Sequence, residues 1–130
     1  YSYAAAPQRF PQWFNYTPII YTGWSALPTG TYEFYAVGNT CFYNIDQSDG
    51  TSTTSPSSNT QLGTPITAAG NQVFSGACGL AVDNGAILTG AARWYIEKSA
   101  TFVQFKKDMG TTTFTTSGTK RVRALVIYEF

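Results

Sequence analysis

The chain has 130 residues, of which 12% are charged, with a net charge of +1 and no histidine. That length gives one domain able to bury roughly two-thirds of its unfolded surface without staples. The charge balance signals neither a nucleic-acid nor an acidic-substrate partner. Without an imidazole, a Cys–His or Ser–His dyad is excluded, and two cysteines cannot complete a zinc site.

Residues 1–18 hold three prolines and six aromatics. Proline at that density favours an extended arm over a helix. So many aromatics do not dangle in water, which makes Tyr3, Phe10, Trp13 and Phe14 candidate contacts to this domain or a neighbouring subunit. The start carries no basic region leading into an apolar core, as a signal peptide would. It also lacks an initiator Met, which reads as a processed chain or a piece of something longer. No run approaches the ~18 apolar residues of a membrane span, so no membrane insertion is expected.

The strand pattern begins with Ile19–Thr22, followed by a loop over 23–30. Thr31–Val37 and Thr40–Asp46 flank Gly38-Asn39, a two-residue hairpin signal. The stretch 47–60 is polar apart from Pro56 and reads as a long loop, or a loop leading into a weak edge strand. No strand is assigned over 61–70. Residues 73–82 read as strand broken by Gly76 and Gly79, the mark of a bulge or a close backbone approach. Asp83-Asn84-Gly85 is a second hairpin turn. Short strands follow at 86–89, 93–98, 101–107 and 111–116, before a Ser117-Gly118 corner.

The last strand, Arg121–Phe130, carries the strongest signal. Alternation places Val122, Ala124, Val126, Tyr128 and Phe130 on one face. Leu125 and Ile127 lie on the other, between Arg121, Arg123 and Glu129. A strand with one wet face would not carry them, so it is central in a sandwich or packs on another copy of the chain. About eight strands with turn signals roughly every 8–12 residues describe an all-β, antiparallel β-sandwich, jelly-roll-like, over 19–130, with an extended arm over 1–18.

Cys41 and Cys78 lack a spacing motif and read as two small buried hydrophobes, with a disulfide as the alternative. The seven carboxylates form no pair beyond turn signatures, so no enzyme, cofactor or metal site is expected. A binding surface is easier to build from Tyr, Trp, Asn and Ser on loops. The candidate ligand-binding residues are Tyr21 and Trp24, with Asp49, Ser52 and Asn59 in the polar stretch; core packing is the competing reading for Trp24. Candidate subunit-interface residues are Tyr3, Phe10, Trp13, Phe14, Leu125 and Ile127.

The order of Tyr16-Thr17-Pro18, Gly23-Trp24-Ser25, Pro28-Thr29-Gly30-x-Tyr32 and Val37-Gly38-Asn39-Thr40 resembles β-sandwich modules near the C-terminal ends of bacteriophage tail fibres and other phage structural proteins. Gly50-Thr51-Ser52, Asn84-Gly85 and the Phe114–Lys120 and Ile127–Glu129 pieces continue the resemblance. Such modules pass from Gly-Thr-Ser into an alternating strand closing on Leu-Pro, where this chain has a polar run and Leu62-Gly63-Thr64-Pro65. The resemblance implies a virion-surface position (tail fibre or capsid, assembled in the host cytoplasm), a homotrimer, contacts to other virion proteins, and attachment to a host glycan or protein receptor. A capsid-decoration or fibre-anchoring protein is the alternative, and an unrelated β-sandwich lectin the second.

Overall fold

The computed structural model describes residues 2–3, 12–49 and 59–130, with backbone alone at 2, 3 and 49. The strands run β1 (Ser2–Tyr3), β2 (Phe14–Asn15), β3 (Ile20–Thr22), β4 (Thr29–Val37), β5 (Thr40–Asp49) and β6 (Thr60–Gly63). They continue with β7 (Phe74–Ala77), β8 (Leu80–Asp83), β9 (Ala86–Ile87), β10 (Arg93–Ile96), β11 (Phe102–Lys106) and β12 (Arg121–Glu129). They form two antiparallel sheets, ordered β1-β2-β4-β5-β12-β8-β9 and β3-β6-β11-β10-β7. The fold is an all-β sandwich, without a helix among the described residues.

The terminal strand is the spine of the larger sheet, hydrogen-bonded to β5 on one side and to β8 on the other. Its alternation is realised up to Tyr128: Val122, Ala124, Val126 and Tyr128 are buried, while Leu125 and Ile127 are 48% and 43% exposed. Phe130, expected on the inward face, lies past the end of the strand and is exposed. Cys41, Tyr43 and Ile45 of β5 join the same core. The smaller sheet meets them with Leu62, Val103, Phe105, Trp94 and Ile96. Each fully buried aliphatic side chain contributes about 1.5–3 kcal/mol relative to exposure.

The turns obey their local chemistry. Val37 faces Thr40 across Gly38-Asn39, and Gly38 has φ of 60°, the first position of a II′ hairpin. Asp83 faces Ala86 across Asn84 and Gly85, at φ of 50° and 77°, a I′ hairpin. Between β7 and β8 the chain changes sheets. Cys78 N–H donates to Ala92 O beside the smaller sheet, and Gly79 N–H to Arg123 O of the larger, both at 2.8 Å.

Several strand assignments differ from the sequence reading, among them β4, which already begins at Thr29. Strand pairing starts before Ile19, because Phe14 and Asn15 lie beside Phe34 and Glu33 at the edge of β4. β5 continues through Gln47, which has no exposed surface and whose Oε1 accepts from Val122 N–H at 2.9 Å. A strand occupies 60–63, masked in the sequence because its inward residues are a threonine and a leucine and Gly63 has no side chain. The stretch 111–116 is not strand: Thr115 instead donates to the Asp83 carboxylate from both N–H and hydroxyl. Both cysteines are free, Cys41 buried and Cys78 half-buried.

Candidate binding surfaces

The two outer faces of the sandwich differ in chemistry. On the larger sheet, strand register aligns Tyr35, Phe42 and Ile127 in one row. The Tyr35 and Phe42 rings stack at 4.7 Å and 12°, and Trp13 meets Tyr35 edge-on at 4.5 Å. Leu125 lies in the next row, beside Asn44. Beyond it, Arg123 Nε bonds Asp46 Oδ1 at 2.8 Å, a half-exposed pair worth about 0–1 kcal/mol. A groove of about 230 Å³ runs beside Leu125, between Asp46 and Gly79. This face is apolar and aromatic at one end and paired in charge at the other.

On the smaller sheet, Trp94, Val103 and Phe105 point inward, so Arg93, Tyr95, Phe102, Gln104 and Lys106 point outward. Gln104 stands between Tyr95 on β10 and Gln61 on β6. Tyr95 Oη donates to Gln104 Oε1 at 2.9 Å, and the Arg93 guanidinium lies 4.6 Å from the Tyr95 ring centre. Burial and the nearby Glu97 charge raise the Tyr95 pKa, against the opposing effect of Arg93. Tyr21 packs on Phe102 with ring centres 5.0 Å apart and shares a 2.9 Å hydrogen bond with the Thr101 hydroxyl. Aromatic faces, two amides and cations thus lie on one sheet face, fixed by strand register rather than by loops.

Between the sheets at one end is a polar cluster. Asp83 accepts from Thr115, and its second oxygen lies 3.4 Å from Lys107 Nζ. Lys120, 1% exposed, places Nζ 5.8 and 6.0 Å from the Trp24 and Phe114 ring centres and 3.5 Å from Thr60 Oγ1. Burial lowers its pKa, and the Asp83 charge opposes that shift. A cleft of about 530 Å³ lies between Asn15–Thr17 and the 27–32 segment. Tyr32 borders it and donates to Pro28 O at 2.6 Å, and burial pushes its phenol up to about 12.

Of the ligand-binding candidates, Tyr21 and Asn59 fall at the smaller sheet, Tyr21 against Phe102 and Asn59 beside Lys106. For Trp24 the core-packing reading holds rather than the ligand-binding one: after the Gly23 turn its ring lies in the core and is not offered to a ligand. Asp49 ends β5 opposite Thr29, and Ser52 lies outside the described residues. Of the interface candidates, Trp13, Leu125 and Ile127 share the outer face of the larger sheet. Phe14 instead packs against the core beside Phe34. Tyr3 pairs with Phe14 through the backbone, and Phe10 lies outside the described residues. Sequence reading missed Tyr95, Gln61, Gln104 and Arg93; the alternation Arg93-x-Tyr95 with Phe102-x-Gln104-x-Lys106 was the available signal.

No protein-family model, no curated protein and no solved structure matches the chain.

Proposed function

We propose that the chain is a phage virion-surface protein that works by adhesion, as a tail-fibre or spike head domain attaching to a host glycan or protein receptor. The observation that carries this reading is the outer face of the smaller sheet, where Tyr21, Phe102, Tyr95 and Gln61 combine apolar ring faces with amide groups around a largely buried Gln104. Such groups bind at modest entropy cost because β-strands already hold them in place. The resemblance of the motif order to tail-fibre modules supports the virion setting.

The apolar outer face of the larger sheet suits assembly. Leu125 and Ile127, exposed beside the Tyr35–Phe42 stack, would meet another subunit in a homotrimer. That face also supports the second reading, a capsid-decoration or fibre-anchoring protein whose partners are other virion subunits. The assignment is tested by binding labelled protein to host cells and imaging its position in the virion. Adhesion at a fibre tip, weakened by Tyr21→Ala with Gln104→Ala, is expected. A lattice position on the capsid with no cell binding would favour the second reading.

A further inference from the structure

Arg93 and Lys106 stand directly opposite one another on β10 and β11, both on the outer face. Like charges at opposed antiparallel positions repel. Neither is relieved by an ion pair among the described residues, where Asp83 pairs with Lys107 and Asp46 with Arg123. Lys106 is only 9% exposed, and its Nζ reaches Asn59 Oδ1 at 3.5 Å, at the limit of a hydrogen bond. Arg93 Nε is buried without a hydrogen-bond partner while its guanidinium is held over Tyr95. Glu97 shares the face but lies four residues beyond Arg93, about 13 Å along the strand. Two adjacent cations with spare donors and no counter-charge among the described residues make a site for an anion.

The shape of the donors selects the anion. The two terminal guanidinium nitrogens form a planar fork that fits both oxygens of a carboxylate, and the lysine adds a point charge. Next to the cations lie Gln104 and Gln61, and beyond them the Phe102–Tyr21 pair. From Lys106 to Phe102 is about 13 Å along the strand. We propose, building on the adhesion reading above, that this face binds a carboxylated saccharide. Its acid group sits between Arg93 and Lys106, and its rings lie over the glutamines and the aromatic pair.

Calorimetry on the full chain tests this with trigalacturonic acid and sialyllactose as carboxylated probes. Maltotriose is the neutral probe, dextran sulfate the sulfated one, and heptaglutamate the acidic peptide. The carboxylated sugars should bind, and Arg93→Gln or Lys106→Gln should each weaken them about tenfold or more. Arg93→Lys should restore only part of the loss, because it returns the charge without the fork. Lys106→Gln should hold or raise the thermal midpoint by removing repulsion, whereas a merely structural lysine would lower it. Unchanged affinity in the variants, or a lowered midpoint in Lys106→Gln, would overturn the inference. Equal binding of maltotriose would also overturn it while leaving adhesion through this face intact. Tighter binding of dextran sulfate or heptaglutamate than of either sugar would assign the cations to sulfate or to an acidic protein instead. Loss of all cell binding by the wild type would defeat the adhesion reading itself.

Discussion

Gly76 of β7 lies against the indole of Trp94 on β10, so closely that a Cβ at position 76 would sit 2.8 Å from three ring atoms. The pair is a joint of the smaller sheet: Trp94 is buried, and its indole occupies the space a side chain on β7 would need. Gly76→Ala should therefore destabilise the domain by about 1–3 kcal/mol through overpacking. Chemical denaturation would show this as a lower midpoint at unchanged slope.

The larger sheet should mediate self-association. The wild type is expected to sediment as a trimer at micromolar concentration, and Leu125→Asp with Ile127→Asp as a folded monomer. A wild type that stays monomeric would remove the assembly role of this face.

The N-terminal segment reaches into the sandwich. Removing residues 1–11 spares Trp13 and Phe14, whereas removing 1–14 strips the ring from Tyr35 and a half-buried phenylalanine from the core. The longer deletion should cost about 1–3 kcal/mol more than the shorter. Equal thermal midpoints for the two would show that β2 adds nothing to stability.

Alkaline pH should unfold the domain. Burial pushes the Cys41 and Cys78 thiols from 9.0 up to about 11 and about 12, and the Tyr32 phenol from 10.0 up to about 12. Burial also holds Tyr43 and Tyr128 above the usual phenol range. For each, the unfolded chain gives up its proton first, so stability is full below pH 9 and falls as pH rises through the folded values. Lys120 acts in the opposite direction: its folded pKa is lowered from 10.5, so the stability it withholds near neutrality returns as pH rises towards that value. Thermal midpoints from pH 7 to 11 should decline from about pH 9, more steeply in Lys120→Met.

The raised thiol values also predict reactivity. A thiolate is the reacting species, so at pH 7.5 a maleimide should leave Cys41 unlabelled and Cys78 nearly so in the folded chain. Both should react in denaturant without reductant. Absence of label there would reveal a disulfide.

The terminal strand and both hairpins were legible because alternation and turn glycines are local signals. Gly76 was legible too, since a glycine inside a strand pattern marks close approach, though not that its neighbour would be Trp94. The sheet change at Cys78-Gly79 was not, because hydrogen bonds to Ala92 and Arg123 come from distant parts of the chain. β6 was hidden by a buried threonine whose polarity is answered by Lys120. The proposed binding face escaped because Gln61, Tyr95 and Gln104 are ordinary strand residues until register sets them side by side. Loops such as that carrying Trp24 drew attention because binding residues concentrate on loops.

The division of labour between the two faces is the central claim, and amide chemical-shift mapping tests it most directly. Purified host-surface polysaccharide should be titrated into isotope-labelled protein. Shifts at residues 61, 93–95 and 102–106, with those at 40–44 and 125–129 unmoved, are the predicted result. Shifts centred on Phe42, Leu125 and Ile127 with the smaller sheet silent would contradict the account.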